Sequence, residues 1–409
     1  MKIANVMRRI VFEEWGGTET AVWNSSLKLH RLGHSIEILA TKALCSIDHE
    51  TKEQIPIRRF DYFYPQLFLK KVNAFILDKK GGSPFSFTLF NYLKKRDFDL
   101  IHSHAMGRIG KLSQKAARKK NIPFILTFHG GNYDIPPSEM EEMCKPLKGS
   151  LGYGKILEKL LGLSRDLVEQ ADGIICVGAN EYQLLRDKFP HKHSAYIPNG
   201  VEVSDFTSLP TLSFRHKYNI PTERKLLLCV SRIDYQKNQA SLVPLLKELL
   251  CQGQDVHCAI VGFVTSASYL RQIRSEIENH NLQKRFTIVE GLPPKSDLLL
   301  SAYKESDLFI LPSIHEPFGI VVLEAWSCNL PVIASAVGGL KTLIRSGNNG
   351  FLFTLNDIDS MLSAYRKAIN NDSIKQNAYK EVLNKYSWDT VSSQILNFYV
   401  QAIANYEKK

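Results

Sequence analysis

Short runs of aliphatic residues alternate with amphipathic stretches along almost the whole chain. KIANVM predicts a first strand; TETAVWNSSLKLHRLG then carries Val22, Leu29 and Leu32 at helical spacing and stops at Gly33, and SIEILAT predicts the next strand. FDLIHSH, PFILTFH and ADGIICVG continue the series, separated by Lys-rich helical stretches such as GKLSQKAARKKN. Strand, helix, strand in this rhythm predicts a parallel sheet with helices on both faces.

After the turn signal IPNG at 197–200, the stretch SDFTSLPTLSFRHKYNIPTER is rich in Ser, Thr and Pro, lacks periodicity, and reads as a connection between domains. The rhythm restarts with KLLLCVSRI, HCAIVGF, FTIVEG, DLFILPS and PVIASA. At 409 residues the chain exceeds what one core fills, so the prediction is two doubly wound α/β domains, 1–203 and 204–387. Open parallel sheets take ligands beyond the carboxyl ends of their strands, which places the expected site in a cleft between the two sets of strand ends.

Composition changes this picture little. With 44% apolar and 23% charged residues the chain is an ordinary globular one, able to bury real cores. A net charge of +11 favours anionic partners, phosphates and lipid headgroups among them. The charged N-terminus lacks the apolar core of a signal peptide, and no run of eighteen apolar residues occurs. Seven Cys without a Cys-x-x-Cys pair suit a reducing cytosol and argue against a disulfide framework or a zinc site. The segment RRFDYFYPQLFLKKVNAFILDKK, with Lys70, Lys71, Lys79 and Lys80, interleaves aromatic and basic residues. Two readings stay open for it: an element lying on an anionic membrane surface, or an amphipathic element packed on its own domain.

Chemistry concentrates in four places. HEPFGIVVLE sets Glu316 and Glu324 eight residues apart across an otherwise apolar run. Pro317 halts any upstream helix and Gly319 opens a run that reads as helical, so the first free N–H groups, near Gly319 and Ile320, would lie beside Glu316. Carboxylates against apolar walls are strong acceptors for sugar hydroxyls, and two along one helix could grip two polyols. SRIDYQKN places Arg232 and Lys237 just beyond a strand, a cation pair suited to a diphosphate. WGGTET offers Gly16 and Gly17 for close backbone approach before a helix, and does not fit the G-x-G-x-x-G of dinucleotide binding. ILTFHGG puts His129 at a strand's carboxyl end, exposed and available for hydrogen bonding or proton transfer. His102 and His104 share the spacing of a metal pair, but no acidic or Cys cluster completes a ligand set. DFD at 97–99 and DID at 357–359 read as ordinary element boundaries.

Taken in order, GGTETAVWNSSLKLHRLGHSIEILAT, FDLIHSH, TFHGG, IPNGV, SRIDYQKN, IVEGLP, HEPFGIVVLEAWSCNLPVIAS and VGGLKTLIRSGNNGFLF resemble the family 4 glycosyltransferases of the GT-B fold over nearly the whole chain. The resemblance implies a retaining, metal-independent hexosyl transfer from a UDP-sugar or GDP-sugar, with no other cofactor, to a carbohydrate or lipid-linked acceptor and without nucleic acid. Glu316 would hold donor-sugar hydroxyls, helped by backbone N–H groups from Phe318 to Ile320, and Glu324 the ribose. Arg232 and Lys237 would clamp the diphosphate, with Gly17 approaching from the other domain; the turn at Leu292 would meet the base and His129 would line the reaction centre. A terminal helix at about 388–409 would complete the first domain, and the location implied is cytoplasmic, peripheral on the inner face of a membrane. Two departures touch the pocket: Thr342 stands where the family often has an acidic residue, and Trp326 where it has a small one. An epimerase on the same fold and a non-catalytic nucleotide-sugar binder are the competing classes; the first would isomerise donor alone, the second would consume none.

Overall fold

The computed structural model describes residues 1–12, 16–130, 144–163 and 166–408. The chain falls into two compact units, residues 1–198 together with 391–409, and residues 199–390.

In the first unit the strands are β1 (Lys2–Val6), β2 (Ser35–Thr41), β3 (His49–Lys52), β4 (Ile55–Phe60), β5 (Gln66–Leu67), β6 (Leu100–Ser103), β7 (Phe124–Phe128), β8 (Leu151–Gly152), β9 (Gly173–Cys176) and β10 (Ser194–Tyr196). Eight of them form one sheet in the order β10-β9-β7-β6-β1-β2-β4-β3, parallel except for β3 on β4, while β5 and β8 pair antiparallel apart from it. Strand order reverses at β1, between β2 and β6, so ligands are expected beyond the carboxyl ends there. The helix Gly17–Arg31 follows β1 and buries Val22 and Leu29 against the sheet. Leu32 departs from the predicted apolar stripe: it is the C-cap residue and exposed, and the left-handed turn at Gly33 (φ 85°) ends the helix.

The second unit holds β11 (Lys225–Val230), β12 (Val256–Val261), β13 (Phe286–Val289), β14 (Leu308–Leu311), β15 (Val332–Ser335) and β16 (Phe351–Phe353), all parallel, in the order β13-β12-β11-β14-β15-β16. The central strands β12, β11, β14 and β15 are buried on both faces, and the edge strands β13 and β16 are half-buried. Leu226 and Leu228 join the core that also packs Val322, Leu323 and Trp326, and Leu227 and Cys229 join the opposite one with Leu242 and Leu246. Period-two alternation thus serves two cores, and each fully buried Leu is worth about 1.5–3 kcal/mol. The topological reversal falls between β11 and β14.

The stretch 204–224 is no loose connection. It belongs to the second unit, where Phe214 is fully buried and Arg215 donates to the Glu305 carbonyl and the Asp307 carboxylate. Its aperiodic look arises because a single turn, Phe214–Lys217, anchors through individual polar contacts and presents no repeating face. Both acidic boundary motifs act as sequence implied: Asp99 accepts from the Lys2 N–H, and Asp357 caps the helix Ile358–Ala368.

Candidate functional site

Two loops meet where strand order reverses in the second unit. The loop after β11 is stiffened from below: Gln239, fully buried, donates to the Ser231 hydroxyl (2.8 Å) and the Arg232 carbonyl (2.7 Å). Asp234 caps the short turn Tyr235–Lys237, and Thr265 donates to its other oxygen (2.9 Å). Gly262 ends β12 so close to this loop that a Cβ there would stand 1.7 Å from the Ser231 carbonyl oxygen. The Ile314 N–H donates 2.8 Å to the Gln236 carbonyl, tying the loop after β14 to the loop after β11.

Across this tie Lys237 Nζ lies 2.7 Å from Glu316 Oε2, each side chain 12% exposed. A pair so covered holds its geometry because breaking it would strand a charge out of water. Arg232, on the same loop, is over half exposed and among the described residues reaches Gln236 (3.1 Å) and Asp234 (3.4 Å). The sequence therefore brings Lys237 and Glu316 together and leaves Arg232 beside them as an exposed cation.

Glu316 precedes the helix Ile320–Ser327 and Glu324 sits in its second turn, as Pro317 and Gly319 implied. Gly319 adopts φ 100°, which a side chain would strain, and starts the helix. Among the described residues no carbonyl accepts from the N–H groups of Phe318, Gly319, Ile320 or Val321, and no side chain caps them. These donors and a helix dipole equivalent to roughly half a positive charge make an anion and hydroxyl site next to Glu316. Phe318 contributes through its backbone alone, since its ring is buried against Tyr386; Ile320 also packs on that core. Leu292, half-buried, follows β13 in a turn opened by Gly291 at φ 102°.

Glu324 is half-buried, and burial pushes its carboxyl above the ordinary range; a 2.6 Å hydrogen bond donated by the Tyr303 hydroxyl to Oε2 works the other way. Tyr303 is wholly buried, so it fixes one carboxylate oxygen and leaves the other for a ligand. Nothing in the sequence marked Tyr303, which reads as a core aromatic. VGGLK is explained here too. Gly338 and Gly339 fold over the backbone of Glu316 and Pro317: Cβ atoms on them would stand 2.3 Å from the Glu316 oxygen and 2.1 Å from the Pro317 oxygen, and the Gly339 N–H donates 2.8 Å to the Glu316 carbonyl. Paired glycines at a strand end were the available signal. Thr342 donates to the Gly339 carbonyl (2.8 Å) and Trp326 is fully buried in the core, so the two departures from the family pattern are absorbed into packing.

In the first unit, Gly16 is the N-cap of the helix Gly17–Arg31, and the space over it is taken by Glu19, whose Oε2 would lie 2.8 Å from a Cβ. Glu19 also faces Arg9 at 3.3 Å. Neighbouring Arg8 donates to the Leu77 and Asp78 carbonyls, and burial and Arg9 lower its pKa. This polar group at the end of β1 went unread in the sequence, where the N-terminal charges served only to exclude a signal peptide.

His129 is not the exposed imidazole predicted. Its Nε2 shares a 2.9 Å hydrogen bond with His104 Nδ1, and burial pushes its pKa down to about 4. His102 is buried between Tyr399 and Thr127, at 2.6 Å from each hydroxyl, with its pKa pushed down to about 3; His104 is held well below its ordinary value by burial and by His102. All three are neutral near pH 7. Whichever ring of the His104–His129 pair carries the shared proton, one N–H and one lone pair remain, on His104 Nε2 and His129 Nδ1, and neither atom has a partner among the described residues. Among the described residues no three His, Cys, Asp or Glu side chains group to hold a metal ion.

Comparison with known proteins matches two family models in tandem, Glycosyltransferase Family 4 at residues 15–205 and Glycosyl transferases group 1 at residues 211–385. An uncharacterized glycosyltransferase of Methanocaldococcus jannaschii is 30% identical over 46% of this chain and 48% of its own length, so that match spans about half of the relative. The alpha-monoglucosyldiacylglycerol synthase of Streptococcus pneumoniae is 25% identical over 97% of this chain and 86% of its own. Among solved structures, HepE of Anabaena in complex with UDP superposes with a TM-score of 0.69 at 18% identity, covering 98% of this chain and 100% of that one. Two successive parallel-sheet α/β units and two tandem family matches agree: the chain belongs to the family 4 glycosyltransferases, with the GT-B fold.

Proposed function

We propose that this glycosyltransferase moves a hexose-type sugar from a nucleoside-diphosphate sugar, UDP-linked or GDP-linked, to an acceptor hydroxyl with retention of anomeric configuration. The observation that carries the reading is the Lys237–Glu316 pair at 2.7 Å beside four unpartnered N–H groups of one helix start. An ammonium has three donors; one goes to Glu316, and two face a diphosphate, which exposed Arg232 joins. The free Glu316 oxygen and the helix N–H groups hold sugar hydroxyls, and Glu324, steadied by Tyr303, holds the ribose diol. Leu292 lies against the base.

In the transfer, the C1–O bond to the diphosphate breaks and its electron pair leaves with the phosphate. The acceptor oxygen bonds to C1 on the same face, and its proton passes to the departing phosphate. Lys237, Arg232 and the helix start stabilise the developing charge in place of a divalent cation, and one such donor is typically worth about 3 kcal/mol. The first unit's residues Gly16, Gly17 and His129 are assigned to substrate contact, His129 as a neutral hydrogen-bonding imidazole. Two relatives carry a lipid in their names, a diacylglycerol and a diphosphoundecaprenol, which supports a carbohydrate or lipid-linked acceptor; a cytoplasmic, membrane-peripheral place in glycolipid, lipopolysaccharide or polysaccharide assembly completes the proposal.

Thermal-shift titration with UDP, GDP, ADP and their sugars tests the donor: one diphosphate series should raise the melting temperature, and Lys237→Ala should erase the rise. NMR of the donor's anomeric proton in the presence of acceptor distinguishes transfer with retention from isomerisation of donor alone. Absence of any nucleotide-dependent shift in the wild-type chain would overturn the reading.

A further inference from the structure

The aromatic-basic segment at 58–80 does not behave as one element. Its first part turns inward: Arg58 and Arg59 lie in β4 and pair with Glu37 and Glu50, and Phe63 stacks on Phe85. Its second part turns outward. Leu67 and Phe68 are exposed, Phe68 by 83%, and the helix Lys71–Lys80 presents Val72 and Phe75 to solvent at i, i+3 spacing, hence on one face.

A second segment, far away in sequence, adjoins it. β8 pairs antiparallel with β5 so that Leu151 stands directly opposite Leu67, and both are exposed. The helix Gly154–Leu160 follows, with Ile156 and Leu160 at i, i+4 spacing, 65% and 78% exposed. Two short helices with bare apolar faces therefore flank one small exposed β-pair. Apolar side chains gathered this way on a water-facing surface mark an interaction site.

Charge decides the partner. Each segment has one acidic residue among its helical positions, and both point inward: Asp78 is buried and accepts from Tyr62 (2.7 Å) and Tyr64 (2.8 Å), and Glu158 is bound by Arg108 (2.8 Å) and Lys111 (2.6 Å). What the two helices leave exposed around the apolar residues is lysine: Lys70 and Lys71 on one, Lys155 and Lys159 on the other. Lys79 lies over the Phe75 ring at 4.9 Å, its charge riding above the apolar face. No helix among the described residues is long and apolar enough to cross a membrane. Apolar side chains that can dip below headgroups, ringed by lysines with the acids turned away, fit an anionic bilayer surface.

We propose that the surface formed by β5, β8 and the helices Lys71–Lys80 and Gly154–Leu160 docks the protein on anionic phospholipid membrane, with both helices lying in the interface. This deepens the reading of a lipid-linked acceptor, which would be met at a bilayer, and the docking itself does not depend on the transfer chemistry.

Sedimentation of the full chain with vesicles of phosphatidylcholine alone, or mixed in equal parts with phosphatidylglycerol, tests it. Binding should require phosphatidylglycerol and weaken with salt. A variant combining Lys71→Ala, Lys155→Ala and Lys159→Ala should lower the partition coefficient by about a hundredfold. A second variant, Phe75→Ser with Ile156→Ser and Leu160→Ser, should lose the salt-resistant part of the binding. Both should keep the wild-type melting temperature and nucleotide-dependent thermal shift, so failure of docking and failure of the donor reading are read separately. Wild-type chain that stays in the supernatant with anionic vesicles, variants that sediment like wild type, or a concentration-dependent dimer abolished by the Ser substitutions would each overturn the proposal.

Discussion

The two units reverse strand order in the same way and arm their strand ends differently. In the second, the polar groups are charged and matched: Lys237 with Glu316, Tyr303 with Glu324, and the loops between them locked by Gln239 and Asp234. In the first, the Arg9–Glu19 pair sits at the end of β1, and the end of β7 and the loop after β6 add neutral imidazoles, with His104 Nε2 and His129 Nδ1 left without partners among the described residues. A site that must hold a nucleoside diphosphate needs fixed charge built in beforehand.

The sharpest way to break that contrast is to remove the charge. Lys237→Ala should cut transfer by about a hundredfold to a thousandfold, measured as donor consumption with acceptor present, because the diphosphate's charge loses its main donor. A loss below tenfold would mean that the pair is structural. Gly339→Ala comes next. Its Cβ meets the Pro317 carbonyl, a backbone atom that cannot step aside, so Glu316 should shift and stability should fall by about 2–3 kcal/mol in urea melts, with donor-dependent thermal shift reduced. An unchanged melt would show that the turn over Glu316 is pliable.

Acid tests the neutral side. His102 and His129 titrate near 3 and 4 in the folded chain, below the 6.5 of an unfolded histidine, so unfolding takes up protons. Their contribution is present above pH 6.5 and is lost as pH falls through the folded values, at up to about 1.4 kcal/mol per pH unit for each group. Melting followed from pH 7 down to 4 should show the steepening, and His104→Asn should flatten part of it. If His104→Asn melts in parallel with wild type across that range, the imidazoles are not neutral in the native state. The smallest effect belongs to Tyr303→Phe: loss of one hydrogen bond to Glu324, about 1 kcal/mol, should weaken a ribonucleotide donor about fivefold and leave a 2′-deoxy donor nearly unaffected. Equal weakening of both would assign Tyr303 to packing.

How much of this was legible in the chain follows from range. The central strands of the second unit are continuous apolar runs because both faces are buried, and KLLLCV or DLFIL announces that without neighbours. The start of the helix Ile320–Ser327 was equally plain from Pro317 and Gly319. What periodicity could not supply was partnership. That Asp78 and Glu158 face inward, that His129 leans on His104, and that Tyr303 reaches Glu324 are all meetings of residues distant in sequence, set by how the elements pack. Regions with weak period, such as 204–224, misled for the same reason: Phe214 and Arg215 are fastened one at a time by groups some ninety residues away.

One feature of the first unit bears on how the molecule comes into being. Tyr399, whose hydroxyl meets His102, lies on the helix Trp388–Glu407, and the unit combines residues 1–198 with residues 391–409. Residues 199–390, by contrast, are contiguous and are all synthesised before Tyr399. The half that is synthesised first is therefore the half that is finished last, and a nascent chain halted before Tyr399 holds an imidazole waiting for its hydroxyl.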